Sequence, residues 1–355
     1  MAISWDGPFG ARDLISFATE LLERAGLSHE QAVAVAEILV EGDLLGHTTH
    51  GIQLLSPYLK ERKAGLMTVE GEPEVVSDRG STVLWDGNFL PGPWLTLKAM
   101  NLAFDRVKEY SVVTIVIRRS HHIGCLGAYP RKATDRDLFM LLTCSDPSVG
   151  TVAPYGGMLP LYTPNPLAVG IPTESDPIII DISMSCTANG LVMRSEKEGK
   201  ALPHPWLMDS EGNVTDDPSA LFADPPGSIL PLGGTDVGYK GFALGLMIEA
   251  LTAGLGGYGR SDSPTQWEAS IFIQVIDPNA FGGREFFQRE THWLAEACRR
   301  NPTKAGDPPV RVPGDRALEM KAKQLKAGIR LYPTILPALE RWAETYGVAL
   351  PGTLS

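Results

Sequence analysis

Residues 241–267, GFALGLMIEALTAGLGGYGRSDSPTQW, hold the pattern Gly254-Leu255-Gly256-Gly257-Tyr258-Gly259, and its reading decides the fold. The pattern satisfies GxGxxG, the glycine signature of a Rossmann strand–turn–helix unit. In that unit the glycines follow a strand and open a helix, so that a pyrophosphate meets the helix N-terminus. Here the order is reversed. An apolar helical run at 241–254 precedes the glycines, and the polar stretch RSDSPTQW follows them. Glycines so placed close a helix, because glycine tolerates the left-handed conformation needed there. No other strand–helix junction carries the fingerprint, so a bound dinucleotide needs a different scaffold. The 241–254 run is apolar almost all round, which predicts a helix buried in the core.

Working outward, short β-rich runs alternate with helical segments. STVLWDG at 81–87, VVTIVIR at 112–118, LFMLLTC at 138–144, PIIIDIS at 177–183 and SIFIQVID at 270–277 read as strands. LKAMNLAFDRVKE at 97–109 reads as a helix. The Pro/Gly-rich stretches 145–166 and 202–235 read as surface loops of the kind that carry sites. Both ends are helical. Leu14, Phe17, Leu21 and Leu22 form one stripe, ended by Gly26. Ser28 and Gln31 form a capping box ahead of a second stripe, Ala32, Val35, Ala36 and Leu39. A third helix is predicted from Ser56-Pro57 to Gly65, and helices return after 310 at ALEMKAKQLKAGI and ILPALERWAETYG.

The 355 residues are 43% hydrophobic and 21% charged, which suits two folded domains, or one with an appendage. The net charge of −11 repels phosphate backbones and anionic lipid, so neither nucleic acid nor membrane is expected as a partner. An anionic ligand would need local positive charge. The opening MAISWDGPFGARD lacks the basic and apolar regions of a signal peptide, and no apolar stretch reaches the roughly 18 residues of a membrane span. Cys125, Cys144, Cys186 and Cys298 are widely spaced, without a CxxC pair, and read as small buried residues in a reducing compartment. A cytoplasmic enzyme is expected.

Three clusters have the residue types of a site. Gly46-His47-Thr48-Thr49-His50-Gly51 places two histidines and two hydroxyls at a break between helices. Histidine titrates near neutrality and donates or accepts a proton, and Thr49 is placed to orient His50. Read alone, the same residues make a capped helix junction rather than a catalytic pair. No third ligand stands at a zinc-like spacing, so no metal is expected. Arg118-Arg119-Ser120-His121-His122-Ile123-Gly124 follows a strand and suits an anionic group, or a solvated loop. Cys144-Ser145-Asp146-Pro147 through Tyr162-Thr163-Pro164-Asn165-Pro166 offers hydrogen bonds on a proline-stiffened loop.

In this order the clusters resemble the malate/L-lactate dehydrogenase family, whose members include ureidoglycolate, sulfolactate and diketogulonate dehydrogenases and cyclic-imine reductases. Eight segments between about Asp43 and Arg316 carry the resemblance: Gly-x-x-Thr-His-Gly at 46–51, His-x-Gly at 122–124, Pro-x-Gly-Gly at 154–157, and Tyr-Thr-Pro-Asn-Pro at 162–166. Asp-Ile-Ser at 181–183, Thr-Asp-Asp-Pro at 215–218, Leu-Pro-Leu-Gly-Gly at 230–234 and Tyr-Lys-Gly-Phe at 239–242 complete it.

The resemblance implies an α+β (mixed α/β) fold: a non-Rossmann dinucleotide-binding domain with a largely antiparallel, mixed sheet flanked by helices. The N- and C-termini form a helical domain, so that 1–75 with 315–355 stand against a catalytic domain at 76–314. It implies a homodimer with the active site near the interface. The implied reaction moves a hydride between NAD or NADP and a small 2-oxo/2-hydroxy acid or cyclic imino acid.

Carried over by position, His50 is the acid/base and Thr49 its orienting hydroxyl. Leu54, Tyr58, Thr163 and His122 fall at substrate-binding positions. His122, Gly124, Ser145, Asp181, Ile182, Ser183 and Lys240 fall at cofactor positions, as do Pro313, Gly314 and Arg316 in a late loop. Two departures stand out. Leu54 occupies the place of an arginine that grips the substrate carboxylate, a role left to Arg118, Arg119 or Arg194. Leu191 occupies the place of an aspartate behind the histidine, leaving Thr49 and Asp43 to support it. These departures also motivate a second reading, a catalytically weakened nucleotide- or metabolite-binding protein.

Overall fold

The N-terminal stripes and caps fold as their spacing predicts. In the computed structural model, which describes residues 7–354, helix α1 spans Ala11–Arg24 and α2 spans His29–Leu44. Residues 1–6, the first part of the opening MAISWDGPFGARD, lie outside the described residues. The Ser28 hydroxyl accepts from the Gln31 amide at 3.3 Å, and Gln31 Oε1 accepts from the Ser28 amide at 3.1 Å. Both stripes are buried in a core shared with α3 (Leu55–Lys63) and α11 (Ile335–Tyr346). Helix α10 (Asp315–Ala327) is tied to α2 by Lys321 Nζ, 2.6 Å from Glu41 Oε1.

Helix α3 departs from its expected start. A 3₁₀ turn, Ile52–Leu54, runs straight into it at Leu55, so Ser56 is not its cap. Instead the buried Ser56 hydroxyl accepts a bond from Trp342 Nε1 at 3.0 Å. The tertiary partner outcompeted the local one.

A seven-stranded sheet forms the other core, in the order β1-β2-β3-β10-β4-β5-β6. All five expected strands are present: β2 (Thr82–Asp86), β3 (Val112–Ser120), β4 (Phe139–Ser145), β6 (Ile178–Ile182) and β10 (Ala269–Ile276). β1 (Glu74–Asp78) and β5 (Leu167–Ile171) join them. Only β2 and β3 run parallel; every other pair is antiparallel. The sheet is therefore mixed and largely antiparallel. Helix α4 (Gly92–Tyr110) starts five residues earlier than read, because Pro93 suits a first turn. Its Leu95, Ala99, Met100 and Ala103 bury against Ile115 and Ile117 of β3 and Ile271 and Ile273 of β10.

Strand pairing gathers the chain at one end of this sheet. Ala269 at the start of β10 lies opposite Ser120 at the end of β3, and Ser270 lies opposite Ser145 at the end of β4. Leu167, opening β5, pairs with Thr143 on one side and Ile182 on the other. The exits of β3, β4 and β6 thus share an edge with the entries of β5 and β10. Further helices fill the connections: the short α5 (Arg131–Thr134) and α7 (Gly234–Val237), and the longer α6 (Asn189–Glu198) and α9 (Arg284–Arg299). The stretch 202–235, expected as loop, holds a small sheet of β7 (Leu207–Met208), β8 (Val214–Thr215) and β9 (Ser228–Ile229). Among the described residues no helix is long and apolar enough to cross a membrane.

The helix expected to be fully buried is not. It forms α8 (Tyr239–Glu249), continues as a π-helical turn, Ala250–Gly254, and closes at Gly257 with φ +61°, as the glycine reading requires. Within α8 only Gly241, Gly245 and Ile248 are buried, whereas Leu246 is 50% exposed and Leu244 and Met247 are also exposed. An all-apolar pattern does not fix how much of a helix the rest of the chain covers. Here the chain covers only the glycine side.

Two buried carboxylates have opposite surroundings. Asp86 is fully buried and bridges Arg118 Nε (2.9 Å) and Arg119 (Nη2 at 2.6 Å). Burial would raise its pKa, but bonds from Arg119, the Asn88 amide and Arg118 outweigh it and hold the carboxyl below its ordinary value. Both arginines, expected to face an anionic ligand, are thus committed within the chain. Asp43, near the end of α2, accepts only the Ile52 amide at 2.7 Å, and its Oδ1 has no partner. Burial raises it to about 7.

Asp86→Ala is expected to lower stability by about 3 kcal/mol, read as an earlier urea midpoint, since two partly buried guanidinium groups lose their counterion. Asp43→Asn is expected to act oppositely. A carboxyl whose folded pKa lies above its unfolded 3.8 costs stability increasingly as pH rises from about 4 to 7. The stability gain of the asparagine variant over the parent should grow by about 2–3 kcal/mol between pH 5 and pH 8. A pH-independent difference in urea titrations would contradict this origin.

Candidate active site

The turn after α2 is compressed onto its neighbours. A Cβ on Gly51 would overlap the Asp43 carboxylate, at 2.2 Å from Oδ1, so only glycine lets that carboxyl reach the Ile52 amide. On its outer side Gly190, in the first turn of α6, lies so close that a Cβ there would sit 3.0 Å from Thr49 Cβ. Held between them, Thr49 Oγ1 lies 2.9 Å from His50 Nδ1. The opposite nitrogen, Nε2, is left for chemistry. Burial lowers the His50 pKa from 6.5; Asp181 opposes this, while His47 and Arg194 add to it.

Beside it, the exit of β3 delivers His121 and His122. The His122 ring stacks on His50 with centroids 5.9 Å apart. Its Nδ1 accepts the Gly124 amide at 3.2 Å, with the Tyr58 hydroxyl 2.7 Å away. With Nδ1 accepting, Nε2 carries the hydrogen. Gly124 has φ +71°, a conformation side chains disfavour. Burial pushes His121 down to about 3 and His122 well below its ordinary value, so both are neutral. Trp267, just before β10, completes the group at 4.9 Å from His122, 5.1 Å from His121 and 5.7 Å from Tyr58. Sequence reasoning missed Trp267; its one signal was a bulky aromatic at the polar threshold of a strand.

At the end of β4, Ser145 is buried and shares a bond with Thr252 of the π-helical turn at 2.8 Å. Thr163 Oγ1 donates to Asn165 Oδ1 at 2.8 Å, and Asn165 Nδ2 donates to Gly245 O and Glu249 Oε1 of α8. The 162–166 loop is therefore an anchored strut. Lys240 stands apart, exposed near the N-terminus of α8, its Nζ 5.9 Å from the Tyr239 ring. Leu54 packs on the helical core and supplies no charge, and Leu191 joins a small apolar cluster.

Across the sheet end, Asp181, Ile182, Pro313, Gly314 and Arg316 border one cavity of about 990 Å³, between α2, α10 and the β6 edge. That is the upper end of ligand-pocket sizes, which run from about 300 to 1,000 Å³. The late loop continues the β6 edge, Pro313 O accepting from the Ile179 amide at 3.0 Å. Ser183 follows on the same edge. Asp181 Oδ2 accepts the Gly127 amide at 2.9 Å and lies 3.8 Å from His47 Nε2 and 3.6 Å from Cys125 Sγ. This His–Cys–Asp trio, which sequence spacing did not disclose, has the donor types of a metal site. Burial, with Asp181 beside it, holds the Cys125 thiol protonated, unlike a metal-binding thiolate.

The comparisons with known proteins agree with this architecture. The chain is 30% identical over 343 residues to a malate/(S)-sulfolactate dehydrogenase of Methanothermus fervidus, covering 94% of this chain and 97% of that protein. It is 34% identical over 265 residues to a (2R)-3-sulfolactate dehydrogenase (NADP(+)) of Chromohalobacter salexigens, covering 74% and 75%. The fold superposes on malate dehydrogenase from Entamoeba histolytica with a TM-score of 0.91 at 24% identity, over 97% of this chain and 99% of that one. It superposes on delta1-piperideine-2-carboxylate reductase from Pseudomonas syringae with a TM-score of 0.82 at 27% identity, over 95% and 99%. The family model described as malate/L-lactate dehydrogenase matches residues 9–340. The chain belongs to the malate/L-lactate dehydrogenase family and is an oxidoreductase of its 2-hydroxy-acid dehydrogenase type.

Proposed function

We propose that this protein interconverts a small 2-hydroxy acid and its 2-oxo acid, or a cyclic imino acid and its imine, with His50 moving the proton. The carrying observation is the His50 ring itself. Thr49 fixes its Nδ1, His122 stacks on its face, and burial keeps it neutral. A neutral imidazole with one free nitrogen is a base for a substrate hydroxyl, and its protonated form returns that proton in reduction. Tyr58 and His122 shape the substrate's surroundings, Trp267 walls the site off from water, and Thr163 stiffens its floor.

The cofactor reading, NAD or NADP, is supported by the cavity bordered by Asp181, Ile182, Pro313, Gly314 and Arg316. Its cations Arg131 and Lys321 are paired with acids, whereas no ion pair engages Arg316 among the described residues, which suits it to a phosphate. Of the other expected cofactor positions, Ser183 continues the β6 edge beside Ile182, whereas Gly124, Ser145 and Lys240 do not border this cavity. Bound there, the nicotinamide supplies or accepts the hydride. The two apolar cores support a division into a helical unit, 1–75 with 315–355, and a catalytic unit at 76–314.

A homodimer is supported by the uncovered face of α8. Leu244, Leu246 and Met247 are exposed there, and Tyr155, itself exposed, sets its ring against Tyr239 at 6.0 Å. An exposed apolar patch of this kind marks an interaction surface. Asn165 bonds to the same helix, so a second copy on α8 would adjoin the site.

His50→Ala is expected to cut turnover by about 100-fold or more while NADH and NADPH affinity, read by fluorescence titration, survives. In the parent, kcat/KM for hydroxy-acid oxidation should fall as pH drops through a pKa below 6.5, when the base becomes protonated. Unchanged turnover in the variant would sink the assignment. Cofactor binding by the parent without turnover on any 2-oxo acid or cyclic imine would favour the weakened binding protein. Leu246→Asp is expected to halve the mass found by sedimentation; an unaltered parent-like mass would place the interface elsewhere.

A further inference from the structure

We propose that Arg194, on α6, holds the carboxylate of the substrate. The proposal rests on the function proposed above, because it presumes a 2-oxo or 2-hydroxy acid at His50. Such a substrate carries a permanent negative charge into a chain of net charge −11, so a cation must wait for it.

Most cations near this sheet end are already engaged. Arg118 and Arg119 share Asp86. Arg260 pairs with Glu249 at 2.9 Å and also donates to the Asp146 carbonyl. Lys321 holds Glu41, and Arg131 holds Asp135. Arg194 differs. Its Nη1 donates to Thr48 Oγ1 at 3.0 Å and its Nη2 to Gln53 Oε1 at 2.7 Å, both neutral acceptors. No carboxylate pairs with it among the described residues, and Glu198, one turn on, is taken by Lys200 at 2.8 Å.

Placement follows from the backbone. The close approach of Gly190 to Thr49 brings the first turn of α6 onto the His50 turn, and residue 194 lies one helical turn further along. From there the guanidinium reaches residues on both sides of His50 in sequence, Thr48 and Gln53. Its face lies over the Tyr332 ring, 3.8 Å from the centroid, which sets the plane of the fork. A guanidinium has five N–H donors, of which these two bonds use two. The remainder provide a preorientated, charged edge of the kind that binds carboxylates in two-point fashion. Its field reaches both His50 and Asp43.

The test compares charge with shape. The parent, Arg194→Gln and Arg194→Lys are assayed with NADH and NADPH on a panel of three- to six-carbon 2-oxo acids, and on the primary amide of the best acid. The parent should prefer acid over amide in kcat/KM. Arg194→Gln should reduce that preference by about 30-fold or more, mainly through the KM for the acid, with Arg194→Lys intermediate and cofactor KM unchanged. Free guanidinium ion should restore part of the loss. Equal losses on acid and amide would make Arg194 a strut for the turn and overturn the proposal, as would a rise confined to cofactor KM. If Arg194→Gln folds poorly, a parent-like preference in Arg194→Lys with no loss of acid KM would also count against a two-point grip. A parent silent on the whole panel would instead remove the proposed function, and this inference with it.

Discussion

The site exists because β10, the last strand in sequence, inserts antiparallel between β3 and β4. That single pairing choice sends its entry to the edge where β3 and β4 exit. Trp267 therefore lands on the histidines that leave β3, and Ser145 comes to lie beside the helix that precedes β10. A parallel insertion would have placed the same residues at opposite ends of a strand. In a Rossmann unit, parallel strands feed helix N-termini toward a phosphate. Here the antiparallel order removes that arrangement, and the glycines at 254–259 are free to end a helix.

Charge is distributed by a different rule. An acidic chain can spare few cations, and the buried Asp86 consumes two at the sheet end. Their fork-shaped donors make Asp86 a paired, ionised group despite complete burial, whereas Asp43 lacks any such partner and is raised to about 7. The turn bearing His50 is thus supported from below by a carboxyl whose pKa burial raises to about 7. It is bounded from the side by an arginine with only neutral partners. Neither feature depends on the other's residues being near in sequence.

That separation explains what could be read beforehand. Strands with continuous apolar runs, the Ser28–Gln31 box and the glycine helix end all rest on neighbours within a few positions, and all are found. The mixed, largely antiparallel sheet followed from the family resemblance. The failures are tertiary. Arg118 and Arg119 looked available because their acid lies about thirty residues upstream. Ser56 looked like a cap because Trp342 lies far downstream. Helix α8 looked buried because periodicity reports apolar faces without saying whether the chain covers them. The His47–Cys125–Asp181 trio escaped spacing rules for the same reason. Of the site itself, His50, Thr49, Tyr58, His122 and Gly124 do converge, while Lys240 stands apart from them and Trp267 had to be seen in place.

The clustering of neutral histidines bears on how the proton is supplied. In the free protein, burial disfavours the charged form of His50, and the positive field of Arg194 disfavours it further. In the proposed reaction such a ring would be a ready base, but would hold little of the acid form that reduction requires. A substrate carboxylate held by Arg194, as proposed, would change this balance at its source. Its single negative charge would offset the positive field that disfavours an imidazolium, and so would raise the histidine's pKa. On the proposed reading, oxo-acid binding would then favour the protonated form of His50 that reduction needs, and a neutral analogue would not. Under this coupling the same contact that selects an acid also sets the protonation state of the group acting on it. Substrate recognition and proton supply would then be one electrostatic event.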